Sequence, residues 1–116
     1  DHFSDAAKKD PRVLHYADMV MELNNHATLE GIIAMNDALA QCDMGDATHA
    51  KIKTPTLIVA GTEDRSYPGV PELQKRIKGS IVRDIPKSGH ACNFEHPKEY
   101  DNHVIEFLRG LGLFPG

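Results

Sequence analysis

Asp64 and His90 are the two residues of this sequence best placed to do chemistry together. Asp64 lies four residues past the apolar run Leu57-Ile58-Val59-Ala60, in Gly61-Thr62-Glu63-Asp64. His90 lies five residues past Ile85, in Pro86-Lys87-Ser88-Gly89-His90. A carboxylate beside an imidazole makes an acid–base pair: it fixes the ring tautomer and stabilises the imidazolium formed when the ring takes a proton. The residues by themselves leave other readings open. Asp64 could simply form a turn, with Glu63 as the rival acid, and His90 could be a loop histidine satisfied by hydrogen bonds. Cys92 stands two residues from His90, but a chain neighbour is rarely aimed at that ring, and a free Cys commonly packs as a small hydrophobe.

The elements that must position this pair are legible. Thr56–Ala60 is a short apolar run with β-branched residues, which fits a strand buried on both faces of a parallel sheet. Pro71 opens a helix running through Lys78, with Gly79 as its stop, and Ser80–Ile85 reads as a second, less buried strand. The stretch from Pro86 to Glu95 reads as a loop. Pro97 then opens the last helix, whose apolar positions Tyr100, Val104, Phe107, Leu108 and Leu111 recur at helical spacing. A strand–helix–strand unit joins parallel strands by a right-handed crossover, so both loops leave the same sheet edge, where ligands of open α/β sheets bind. Gly61 and Gly89 would permit the tight turns needed there.

The first half is helical and carries no chemical motif. Pro11 suits a first helical turn, and Val13, Tyr16, Ala17, Val20 and Leu23 follow at helical spacing up to Asn24-Asn25. Thr28 can cap a second helix bearing Leu29, Ile32, Ile33, Leu39 and Ala40 on one side. Asp43 to Gly45 breaks it, and Asp46 to Ala50 suits one further turn.

The 116 residues set the scale at one domain or part of one. A 41% hydrophobic content is ordinary for a globular chain. Apolar runs such as Leu57–Ala60 fall far short of the ~18 residues of a membrane helix. Thirteen basic against seventeen acidic residues give a net charge of −4 with no basic block, which argues against a nucleic-acid surface. Cys42 and Cys92 make no disulfide framework, and with no signal-peptide profile the cytoplasm is the default compartment. Metal is not expected: His96 and His103 lie outside the i, i+4 pairing of a helical zinc site, no C-x-x-C occurs, and Asp43 with Asp46 lacks the other ligands of a calcium loop. The methionines between Met19 and Met44 read as packing residues.

Two stretches carry a family resemblance. Ile52-Lys53-Thr54-Pro55-Thr56-Leu57-Ile58-Val59-Ala60-Gly61-Thr62-Glu63-Asp64 resembles the I-x-x-P-T-L-x-x-x-G-x-x-D segment of α/β-hydrolase-fold enzymes. Ser88-Gly89-His90, followed by Glu95-His96-Pro97, resembles their G-H-x-x-x-x-E-x-P closing segment. The resemblance covers Ile52 to Leu111, and it implies an α/β fold in which 52–116 is the closing βαβα segment and 1–51 a helical lid or cap. By that resemblance Asp64 matches the triad acid and His90 the triad base, no cofactor is implied, and the substrate is a small ester-like molecule. The motifs look closest to lactonases, esterases and carbon–carbon bond hydrolases; epoxide hydrolases and dehalogenases share them but use an Asp nucleophile. A G-x-S-x-G elbow is absent, since Ser4, Ser66, Ser80 and Ser88 all lack its flanking glycines, as is a Gly-rich oxyanion loop. Family order places the missing nucleophile upstream of Asp1. The expectation is therefore a C-terminal part of a hydrolase, inactive alone, that self-associates or docks onto an N-terminal half. The rival reading is a non-catalytic α/β module that binds a partner.

Overall fold

The structure is a computed structural model that describes residues 2–42, 45–113 and 115. Asp43 and Met44 lie outside the described residues, as does the Asp46 side chain, so the acidic pair read from sequence is not seen in space.

Two helices open the chain. In α1 (Pro11–Asn24), Pro sits at the first position, where its missing N–H costs nothing, and the Asp10 carboxylate accepts the Arg12 N–H at 2.8 Å. In α2 (Leu29–Gln41), Thr28 Oγ1 accepts the Gly31 N–H at 3.1 Å. A short α3 (Gly45–His49) follows. Then come β1 (Leu57–Gly61), α4 (Val70–Arg76), β2 (Ile81–Ile85), α5 (Cys92–Glu95) and α6 (Pro97–Gly110). β1 and β2 pair in parallel, with Leu57 opposite Ile81 and Gly61 opposite Ile85. Both carboxyl ends therefore open on one edge. α4 packs on β1, and α6 packs on both strands. The described chain has the α/β arrangement expected of the closing βαβα segment.

Three local details differ from the sequence reading. Cys92–Glu95 is a helical turn rather than loop, closed by the Glu95 N–H on Ala91 O at 3.0 Å. α4 ends at Arg76, two residues short of Lys78, because Ile77 leaves helical geometry (ψ 88°) and is buried at 6% exposure. Gly79 then takes φ 83° in the turn closed by Ser80 N–H on Ile77 O. Finally, β1 is only half-buried over Leu57–Val59, because each strand has one strand neighbour instead of two.

The core is thin. Val13, Ala60, Ile77, Ile85 and Cys92 are the buried apolar residues, while Leu29, Ile33, Met35 and Leu39 of α2 are more than half exposed. Met19 and Met21 are exposed too, so the methionines fill no core within the described residues. A compact monomer of 12.8 kDa exposes about 6,300 Å², whereas this chain exposes 8745 Å². Its radius of gyration is 16.8 Å, against about 13 Å for a compact chain of this length. The amphipathic faces of α1 and α2 form as the periodicity predicts, yet they find little to bury against. One anchor holds α1: Phe3, Tyr16 and Phe94 meet at centroid distances of 5.6–6.0 Å, with the Arg12 guanidinium 5.8 Å above Phe94. Among the described residues no helix is long and apolar enough to cross a membrane.

Candidate functional site

The loops that leave β1 and β2 are laced together before any side chain of the site is considered. Thr62 N–H donates to Ile85 O (3.1 Å), Glu63 N–H to Ser88 O (2.8 Å), and Lys87 N–H to Thr62 Oγ1 (3.0 Å). Lys87 takes φ 55°, a left-handed conformation uncommon outside glycine. Gly61 and Gly89 have ordinary φ; what they supply is the missing side chain rather than a special turn. A Cβ on Gly61 would lie 2.2 Å from Gly89 O and 2.4 Å from Ser88 O. One on Gly89 would lie 2.7 Å from the Phe3 carbonyl carbon and 2.8 Å from Ser4 N. Backbone thus touches backbone at both points.

This lacing brings Asp64 and His90 together across 26 residues of chain. His90 Nδ1 lies 2.8 Å from Asp64 Oδ2. The other carboxylate oxygen, Oδ1, accepts the Ser66 N–H at 3.0 Å, and the Asp64 N–H donates to Gly61 O at 3.1 Å. The Asp64 side chain is 15% exposed and that of His90 60%. Burial alone would raise the Asp64 carboxyl; the Ser66 N–H and the hydrogen bond and charge of His90 outweigh it and hold the group below its ordinary value. The carboxylate is therefore ionised at neutral pH, with its proton-accepting face on Nδ1, which leaves Nε2 of His90 for a reacting group. Glu63, the rival acid, is exposed; the carboxylate that meets the imidazole is that of Asp64.

The pair opens on a cleft of about 390 Å³ lined by His2, Asp64, Arg65, Ser66 and His90. An adjoining apolar cavity of about 370 Å³ runs down β1 beside Leu73 and Cys92. A third cavity, of about 220 Å³, lies at the opposite edge of the sheet, by Leu57, Ile81 and His103, away from both loops. No described serine hydroxyl is hydrogen-bonded to His90. Ser4 Oγ is engaged with Glu95, and Ser88 is fully buried with its hydroxyl unpartnered. Among the described residues no three His, Cys, Asp or Glu side chains are grouped to hold a metal ion.

Cys92 is buried at 6% exposure, and that burial chiefly pushes its thiol above the ordinary value, with the Glu95 and Asp64 charges adding to the rise. A raised thiol is a poor nucleophile at neutral pH. Cys42 is exposed. Iodoacetamide at pH 7.5 is therefore expected to alkylate Cys42 at least ~10-fold faster than Cys92 in the folded chain, with the two rates converging in denaturant. Mass-spectrometric time courses check this, and faster labelling of Cys92 in the folded chain would contradict it.

Two features of the site carry no signal at the level of composition or periodicity. One is the amino-terminal segment, which crosses the His90 loop: Ala91 N–H donates to His2 O at 2.9 Å, and the His2 ring lies 5.5 Å from that of His90. The other is Glu95, whose carboxylate joins that segment to the loop; its place in the closing motif was the only available hint.

Comparisons with known proteins find several similar chains. The candidate protein-lysine deacylase ABHD14B of Homo sapiens is 34% identical over 65 residues, which are 56% of this chain and 31% of that protein. The AB hydrolase superfamily protein YisY of Bacillus subtilis (strain 168) is 28% identical over 94 residues, 79% of this chain and 33% of that protein. Among solved structures, a serine hydrolase involved in carbazole degradation (the CarC enzyme) superposes with a TM-score of 0.66 at 24% identity, covering 93% of this chain and 43% of that one. Over this stretch the chain is similar in sequence to α/β-hydrolase proteins, and it shares the fold of the matching part of a serine hydrolase. No family model matches it. It spans about a third of the length of the curated relatives it matches.

Proposed function

We propose that this chain supplies the acid and the base of an α/β-hydrolase-type hydrolytic site, and that the nucleophile comes from a segment outside these residues. The observation that carries the reading is the 2.8 Å contact of His90 Nδ1 with Asp64 Oδ2 at the carboxyl edge of the parallel strands. In that site His90 Nε2 takes the proton of the attacking group, and Asp64 holds the tautomer and stabilises the imidazolium. The same ring then returns the proton to the leaving group and activates water for the second half-reaction. The substrate class is a small ester, lactone or related acyl compound, entering by the cleft of His2, Arg65 and Ser66. The relatives' membership of a hydrolase superfamily and the absence of G-x-S-x-G here support placing the nucleophile elsewhere.

The exposed apolar faces of α1 and α2 and the half-covered strand β1 are where the nucleophile-bearing part docks, with residues 1–51 contributing the lid-like region. Burying them returns the exposed area toward that of a compact protein. The test is p-nitrophenyl ester turnover by the 116-residue chain, alone and joined to a nucleophile-bearing amino-terminal half. The chain alone is expected to stay at background, and the joined protein to turn over with a rate lost on His90→Ala. Saturable turnover by the chain alone, abolished by His90→Ala, would overturn the outside nucleophile. Turnover of the joined protein indifferent to His90→Ala would overturn the base.

A further inference from the structure

The His90 side chain is 60% exposed, with the His2 ring as its aromatic neighbour, so its orientation rests chiefly on the backbone that carries it and on Asp64. That backbone is fastened on two sides. Toward Asp64, Ser88 O and Lys87 N–H are bonded to the loop after β1. On the other side the fastening centres on Glu95, which takes no part in the proton transfer described above. Its Oε1 accepts the N–H of Gly89 at 2.9 Å and of Ser4 at 3.1 Å, and its Oε2 accepts the Ser4 hydroxyl at 2.6 Å. Ser4 Oγ accepts the Ala7 N–H at 3.2 Å, so its single proton is directed at Glu95. Ser4 is 3% exposed. The 2.6 Å separation lies in the charge-assisted range for a hydroxyl on a carboxylate. Ala91 N–H, on the far flank of His90, donates to His2 O, two residues from Ser4.

We propose that Glu95 is a positioning residue: its carboxylate, with Ser4, clamps the amino-terminal segment to the His90 loop and so fixes the imidazole against Asp64. The inference rests on the reading of His90 as the base. Its logic is that both residues flanking an exposed reactive ring are tied to one element, Gly89 through Glu95 directly and Ala91 through the segment that Glu95 holds. A ring so framed keeps its geometry without being buried, and stays open to a substrate. The absent side chain of Gly89 is part of the device, since the segment lies where a Cβ would stand.

The variants are Glu95→Ala, Glu95→Gln and Ser4→Ala in the full chain, read by amide hydrogen exchange and by the imidazole signals of His90 in ¹⁵N–¹H spectra. Gln retains an oxygen for the two N–H groups, and Ser4 Oγ has a second lone pair to receive its amide. Glu95→Ala is expected to speed exchange at Gly89 and Ala91 by at least ~10-fold and to weaken the Nδ1–H signal, with α6 amides unchanged. Glu95→Gln is expected to stay within ~3-fold of the parent, and Ser4→Ala to fall between the two. Unchanged exchange at Gly89 and Ala91 in Glu95→Ala overturns the clamp. Equal acceleration across α6 also overturns it, because that is a loss of fold stability. Should Glu95→Ala fail to fold, Ser4→Ala decides by the same measure. A parent chain without an Nδ1–H···Asp64 signal overturns the base itself, while exchange at Gly89 and Ala91 still judges the clamp.

Discussion

On the proposed reading, Asp64→Asn is expected to lower kcat by ~10⁴-fold once the chain is joined to a nucleophile-bearing half, with KM little changed. The structure gives the reason in terms of two donors. Asp64 Oδ1 accepts the Ser66 N–H and Oδ2 receives His90 Nδ1. An asparagine has one oxygen to offer, and the fixed backbone N–H of Ser66 claims it. The amide NH₂ then faces His90 and forces Nδ1 to accept, which moves the ring proton to Nε2, where the incoming proton must go. Turning the amide over sets its NH₂ against the Ser66 N–H, donor against donor. Glu63→Gln, a neighbouring exposed carboxylate, is expected to change kcat by less than ~3-fold. The ¹⁵N shifts of His90 in the 116-residue chain provide a second readout: the Nδ1–H tautomer in the parent, the Nε2–H tautomer in Asp64→Asn. A kcat within tenfold of the parent, with the parent tautomer retained, would remove Asp64 from the role. The pH dependence follows from the lowered Asp64 carboxyl. A carboxyl whose folded pKa lies below its unfolded value adds stability that is complete above the ordinary carboxylate range. That stability is lost as pH falls through the folded value, so the pair should persist through mildly acid solution and open only at lower pH.

The placement of Asp64 and His90 was readable because it depends on connectivity. Leu57–Ala60 and Ile81–Ile85 are short and β-branched, the intervening helix is long enough for a crossover, and the crossover forces both loops to one edge. A few strand and helix boundaries shifted by a residue or two, as terminal residues do when capping competes with burial, which Ile77 illustrates. What pattern could not supply is contact between distant parts of the chain. Ser4 and Glu95 are 91 residues apart, and Phe3, Tyr16 and Phe94 belong to three segments that no periodicity links. The amphipathic faces of α1 and α2 were legible as faces, but among the described residues little packs against them, so their side chains stand in solvent. Gly61 and Gly89 were legible as glycines with a purpose; the purpose itself, backbone touching backbone, arises only where the two loops meet in space.

Gly61→Ala tests that purpose and is expected to be more damaging than substitution of a small residue in the β1–α4 loop that follows. The added methyl would stand 2.2 Å from Gly89 O, 2.4 Å from Ser88 O and 2.7 Å from the Ser88 carbonyl carbon. All three are backbone atoms, so no rotamer change relieves the clash. Ser88 O is also the acceptor of the Glu63 N–H at 2.8 Å, and Gly61 O that of the Asp64 N–H at 3.1 Å. Room for the methyl must therefore come from moving one loop away from the other, which separates Asp64 from His90 as it breaks the lacing. Overpacking a tight site costs about 1–3 kcal/mol and occasionally more. A contact with immovable backbone belongs at or above the top of that range, so a loss of about 3 kcal/mol or more is expected by urea unfolding. Gly69→Ala, eight residues further along the chain, has nothing within 4 Å of its Cβ and an ordinary φ, so it should cost less than about 1 kcal/mol. On the proposed reading, Gly61→Ala in the joined protein should also lower kcat at temperatures where it remains folded, because Asp64 and His90 no longer meet at 2.8 Å. Equal stability of the two variants would show that the loops have slack at Gly61. Loss of stability without loss of the His90 Nδ1–H signal would show that the acid–base pair does not depend on this contact.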